Sequence, residues 1–213
     1  MYRILGLLND EEKYQNTAHN IGGEMVYAIL RNKNENIFQN SSELFYSSSR
    51  KAKISNGFFE KKNKEYEYEF VLPQNFMNNS GDSLNGVFSK NQKERKEEIK
   101  NLIVIYDDID LPFGEVKIVF NRGDGGHNGI KGIENKIKSK EYIKIKIGVC
   151  PTDFFGKPRK PKKESVAKYL TSKKLSSKYT KRYKELEEKI VKILEEIMTN
   201  GYQKAMNNFN GKK

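Results

Sequence analysis

Both histidines of the chain stand directly before an asparagine: His19–Asn20 in Thr-Ala-His-Asn, and His127–Asn128 in Gly-Gly-His-Asn-Gly. Imidazole is the side chain that titrates near neutrality unperturbed, so two histidines in 213 residues leave few choices for a proton shuttle. Each lies among small and polar residues, the loop context in which catalytic and binding groups collect. A carboxylate to orient an imidazole is at hand in Asp107-Asp108-Ile109-Asp110, which follows the apolar run Leu102–Tyr106. A carboxylate that accepts from one ring N–H fixes the tautomer and leaves the other nitrogen basic. Asp107 ends the apolar run and is expected at a sheet rim, where it can hold such a ring. The same aspartates could bind Mg²⁺. Carboxylate sites for hard metals mostly serve phosphoryl chemistry, however, and no Walker-type phosphate loop is present. No metal and no cofactor are expected.

Amides supply the remaining chemistry. With 22 asparagines in the chain, only position singles any of them out: Asn9 at a strand end, Asn78 at a turn-to-helix join, Asn128 beside a glycine turn. An amide carries donors and an acceptor, so it can read a peptide backbone or steady an oxyanion. The glycines of Asp124–Gly129 let the backbone approach a ligand or take positive φ. A helix starting there would aim free N–H groups at an anion or carbonyl. The plainer reading of the same segment is a tight strand-to-helix turn.

The elements that must position these groups alternate in type. Met1–Leu7 reads as a short buried strand and residues 10–22 as a loop holding Tyr14 and His19. Met25, Val26, Ile29 and Leu30 give Gly22–Arg31 helical spacing. Strands are expected over Glu43–Ser49, Lys51–Phe59 and Tyr66–Leu72, with Pro73 ending the ladder. Ser80–Glu98 has a helical pattern. Leu102–Tyr106 is a central strand covered on both faces, and Glu115–Phe120 is another. Asn128–Ile137 is a helix after the glycine loop. Tyr142–Val149 alternates Ile with Lys, as a strand with one wet face does. Residues 153–163 read as a basic mobile loop, 164–200 as C-terminal helices packed on the sheet, and 207–213 as a flexible tail. The fold class is α/β, a single domain over residues 1–206 with a mixed twisted sheet flanked by helices. Sites in such sheets lie beyond the carboxyl ends of strands, which here are Asn9, Asp107 and the segment after Cys150.

The net charge of +12 is concentrated: residues 157–184 hold 12 Lys or Arg against one acid, while the rest has 28 basic against 27 acidic residues. That is the electrostatic footprint of a nucleic-acid partner, or else a solvated lysine-rich helix. The single Cys150 cannot form an internal disulfide, which fits a reducing compartment. No run approaches the length of a membrane span or a signal peptide. A cytoplasmic chain with no membrane partner is expected.

Five segments, in this order, resemble bacterial peptidyl-tRNA hydrolases: Gly6–Asn9; Tyr14 with Thr17-Ala18-His19-Asn20; Pro73–Gly81; Asp107–Gly114; and Gly125–Lys131. The match spans about residues 3–150, with a weaker echo at Ser165–Leu170. The resemblance implies a monomeric α/β enzyme that hydrolyses the ester between peptide and the terminal ribose of tRNA. It implies His19 as catalytic base and Asp107 as its partner. Asn9, Asn78 and Asn128 would hold the peptide and the attacking water, Tyr14 and Phe76 would lie in the cleft, and Lys146 would face tRNA phosphate. His127 falls in the glycine-rich signature near the cleft. The chain departs from the family pattern at Leu8, where glycine is usual, and at Asp10-Glu11, where Pro-Gly is usual. It also departs at Asp124, usually small or neutral, and at Val119, usually basic. Two other readings stay open: a non-catalytic RNA-binding relative on the same scaffold, and a hydrolase or nucleosidase acting on a small molecule.

Overall fold

A computed structural model describes residues 1–155, 157–172 and 180–211. Among these described residues, seven strands form one sheet in the order β2-β3-β4-β1-β5-β7-β6. They are β1 (Tyr2–Gly6), β2 (Phe45–Ser47), β3 (Ala52–Lys61), β4 (Lys64–Pro73), β5 (Leu102–Pro112), β6 (Val116–Phe120) and β7 (Ile143–Cys150). The four central strands β4, β1, β5 and β7 run parallel, and β2, β3 and β6 add antiparallel edges. The sheet is therefore mixed, as expected.

Among the described residues, six α-helices flank it: α1 (Ile21–Arg31), α2 (Gln92–Lys100), α3 (Asn128–Ile137), α4 (Val166–Ser172), α5 (Thr180–Asn200) and α6 (Tyr202–Phe209). The core has two layers. One joins Ile21, Met25, Val26 and Ile29 of α1 and Leu186, Ile190, Ile193 and Leu194 of α5 to Ile103 and Ile105 of β5. The other joins Ile130, Ile133 and Ile137 of α3 to Val104 and Tyr106. Alternate residues of β5 thus face opposite layers, the period-2 geometry of a strand buried on both sides. Helical spacing of apolar residues holds α1 and α5 in place, since tertiary packing outweighs propensity for helices of this length. Among the described residues no helix is long and apolar enough to cross a membrane.

The structure corrects several expectations. Ser80–Glu98 is not one helix: Met77–Leu84 is a run of 3₁₀ turns, Gly86 takes φ +67°, and α2 begins only after Asn91. The Asn91 side chain caps α2 by accepting from the N–H groups of Lys93 at 2.9 Å and Glu94 at 3.3 Å. β5 continues past Tyr106 to Pro112, so the aspartates lie within the strand. The expected wet face of β7 is not wet: Lys144 is 0% exposed and Lys146 is partly covered. The Lys144 ammonium donates to the Arg122 carbonyl at 2.5 Å and forms a 3.3 Å ion pair with Glu134 of α3. Asn207–Phe209, expected in a tail, form the last turn of α6. Asn210 then bonds both backbone groups of Ile118 at 2.8 Å, which fixes this end on β6. Residues 212–213 of that tail lie outside the described residues.

Candidate active site

Two helices on opposite faces of the sheet begin at one strand end. β1 leads through Leu7–Asn9 into a loop with 3₁₀ turns at Glu12–Tyr14 and Ala18–Asn20, and α1 follows at once. The N-terminus of α1 lies against the sheet backbone: a Cβ on Gly22 would stand 2.1 Å from the Ile105 carbonyl oxygen. Only glycine permits that approach, and it brings His19 to Asp107 of β5. The Tyr14 carbonyl accepts from the Thr17 hydroxyl at 2.7 Å and its N–H at 3.1 Å, which shapes the turn that delivers His19. From the other face, α3 starts with His127 as its N-cap.

Both rings meet Asp107, which lies within β5 just beyond the end of its pairing with β1 and is 2% exposed. His19 Nδ1 lies 2.8 Å and His127 Nε2 2.9 Å from the same oxygen, Asp107 Oδ1. The ring centroids are 5.0 Å apart. Chemistry assigns the protons. His127 Nδ1 accepts from the backbone N–H groups of Gly129 at 3.2 Å and Ile130 at 3.3 Å. A backbone N–H can only donate, so that nitrogen bears a lone pair and the His127 proton sits on Nε2, toward Asp107. His19 likewise donates from Nδ1 to the carboxylate, which leaves its Nε2 as the basic nitrogen.

Burial pushes the Asp107 carboxyl up, but its interactions with His19 and His127 hold it well below the usual carboxylate range. Burial pulls the His19 imidazole down, yet the charge and hydrogen bond of Asp107 win, and its pKa is raised from the ordinary 6.5. His19, Asp107 and His127 also offer ligand atoms within 4.8 Å of one another. Among the described residues they are the group that could hold a metal ion, which would have to displace both hydrogen bonds to Asp107 Oδ1.

Asn9 is buried and held at three points. Its Oδ1 accepts from the Met77 N–H at 2.9 Å, its N–H donates to Asn20 Oδ1 at 2.8 Å, and its carbonyl accepts from Asn20 Nδ2 at 3.0 Å. With Oδ1 engaged, the Asn9 side chain has its NH₂ left to donate. Asn20 and Met77 are the residues sequence reasoning missed as site builders; the signal for Asn20 was its place directly after His19. Asn78 and Asn128 lie at the starts of the 3₁₀ run and of α3. A Cβ on Gly132 of α3 would lie 2.3 Å from the Asn78 carbonyl, so these two segments approach backbone to backbone. Phe76, next to Met77, is 55% exposed.

Other site residues lie elsewhere. Lys146 pairs with Asp108 Oδ2 at 2.8 Å, and Asp108 points to the face opposite Asp107. With Lys117 and Arg122 it lines a 760 Å³ groove beside β6. Of the departures, Leu8 is buried against α1, where a Cβ on Gly23 would lie 2.2 Å from Leu8 Cδ2. The Asp124 Oδ1 accepts from the Gly126 N–H at 2.7 Å and braces the glycine turn.

The profile of the family described as peptidyl-tRNA hydrolase matches residues 3–213. The chain is 35% identical to the peptidyl-tRNA hydrolase of a Sulfurihydrogenibium species, covering 96% of this chain and 94% of that one. It is 32% identical to the peptidyl-tRNA hydrolase of Clostridium acetobutylicum over the full length of both. Its fold is similar to that of peptidyl-tRNA hydrolase from Acinetobacter baumannii, with a TM-score of 0.76 at 20% identity, covering 100% of this chain and 96% of that one. A buried β5 carboxylate shared by two histidines, the glycine approaches beside it and these whole-chain matches lead to one conclusion: the chain belongs to the peptidyl-tRNA hydrolase family.

Proposed function

We propose that this chain hydrolyses the ester joining a peptide, or an N-blocked aminoacyl group, to tRNA, with His19 as general base and no covalent intermediate. His19 Nε2 takes a proton from water as the water oxygen attacks the ester carbonyl. The ribose oxygen then leaves and receives that proton, and the peptide departs as a carboxylic acid. The observation that carries this reading is the 2.8 Å bond from His19 Nδ1 to buried Asp107, which orients the ring and supports the imidazolium that forms. Asn9, its Oδ1 engaged by Met77, donates from Nδ2 to the developing oxyanion. Asn78 and Asn128 hold the peptide backbone, which suits a substrate whose side chains vary. Tyr14 and Phe76 line the cleft. Lys146 and the basic stretch 157–163 face tRNA phosphates. His127 serves Asp107 rather than the substrate. Every residue in this scheme comes from one chain, in keeping with a monomer, and a tRNA substrate is in keeping with work in the cytoplasm beside translation.

Cleavage of N-blocked aminoacyl-tRNA, compared with a short ester lacking tRNA, tests the reading. Hydrolysis of the tRNA ester alone supports it. Equal hydrolysis of both would make the chain a small-ester hydrolase, and tRNA binding without cleavage would make it a non-catalytic RNA-binding relative.

A further inference from the structure

The turn after β7 presents two aromatic rings to solvent. Phe154 is 97% exposed and Phe155 83%, and their rings stand edge to face with centroids 5.6 Å apart. Single exposed apolar side chains are ordinary, but an adjoining aromatic pair marks a contact surface.

The turn is built to carry them. Asp153 Oδ1 accepts from the backbone N–H of Phe155 at 3.0 Å and of Lys157 at 2.9 Å. Its N–H donates to the Lys157 carbonyl at 2.9 Å, and its Oδ2 meets the Arg159 guanidinium at 3.2 Å. The root is fixed to the catalytic end of the sheet. The Arg159 N–H donates to the Pro151 carbonyl at 2.7 Å. Lys160 forms an ion pair with Asp110, on the strand that carries Asp107.

Charge identifies what the pair meets. Lys157, Lys162 and Lys163 are exposed and form no ion pair among the described residues. Cations that neighbour an exposed aromatic pair in sequence suit a polyanion with flat, unpaired bases. A tRNA ends in unpaired nucleotides, and the scissile ester sits on the last of them. Those bases must therefore lie near His19 and Asp107, the sheet end where this turn is rooted.

We propose that Phe154 and Phe155 form a stacking platform for the unpaired 3′ nucleotides of the tRNA acceptor arm, with the adjacent lysines on their phosphates. This rests on tRNA being the substrate. The platform tolerates any base, because every base offers a π-face.

The test compares full-length wild type with Phe154→Ala/Phe155→Ala. Two RNA hairpins share one duplex; one carries a four-nucleotide unpaired 3′ tail and the other is blunt. Fluorescence anisotropy over a salt series gives affinities. The double variant is expected to lose roughly five-fold or more in affinity for the tailed hairpin, with blunt-hairpin affinity and salt slope unchanged. Phe154→Tyr/Phe155→Tyr should bind as wild type does. Undiminished binding of the tailed hairpin by the alanine variant would overturn the proposal, as would equal losses on both hairpins. Wild-type binding to phosphatidylglycerol vesicles that the alanine variant lacks would also overturn it, by assigning the rings to a membrane surface. Wild-type turnover of N-blocked aminoacyl-tRNA, measured on the same preparation, separates the two claims. Its absence defeats the hydrolase reading; its presence with no phenylalanine effect defeats only the platform.

Discussion

Asp107 Oδ1 takes both imidazoles, so one atom governs the protonation of the proposed base, His19, and the placement of its neighbour. Asp107→Asn keeps the size and removes the charge. The expected loss in kcat is about 10²–10⁴-fold, the range for losing an orienting acid or a base. The pH profile should move in a defined direction. The proposed base works unprotonated, so wild-type kcat/KM is expected to climb with pH through a His19 pKa raised above 6.5. Without the Asp107 charge, burial alone acts on the imidazolium, and the ascending limb should shift to lower pH. A limb that stays in place would show that Asp107 does not set the His19 pKa. Linkage carries the same sign: the pair's stabilisation through His19 is fully present below pH 6.5 and is lost as pH rises through the raised value.

At the scale of elements, His127 ties α3 to the site, since it caps the helix and holds Asp107 at once. His127→Ala is expected to lower stability by about 1 kcal/mol through the missing cap and to reduce turnover through the missing donor. His127→Asn should restore the cap but not the reach to Asp107. Thermal melts and turnover should therefore separate in the two variants, and parallel recovery of both would contradict the double role. The same residues show why some of the fold was legible and some was not. Helical spacing in α1 and the glycine turn before α3 are local signals, and both helices lie where the pattern placed them. The 3₁₀ run at Met77–Leu84 shares apolar spacing with a helix, and the break depends on Gly86 at positive φ and the Asn91 cap. Ile–Lys alternation in β7 imitates a wet face, because the group that accompanies Lys144 inside, Glu134, lies on another element. Asn20 went unassigned for a related reason: its partner is the Asn9 backbone, eleven residues away. Residue types and the place of Asp107 after an apolar run suggest a carboxylate–imidazole pair, but with 88 residues between His19 and Asp107 only motif order and resemblance single out these two.

The whole molecule sets a balanced α/β body against one strongly basic segment. If that segment grips tRNA, affinity should fall steeply with salt. Replacing Lys162 and Lys163 with alanine should lower the slope of log K against log salt by roughly 0.7–0.9 for each phosphate no longer neutralised. An unchanged slope would leave the lysines as solvation only. The central claim concerns His19, and one measurement reaches it most directly: release of N-blocked aminoacyl groups from tRNA under single-turnover conditions, with EDTA present, for wild type and His19→Ala. The account predicts cleavage by wild type and a loss of about 10²–10⁴-fold in the variant. Near-wild-type turnover by His19→Ala would contradict it.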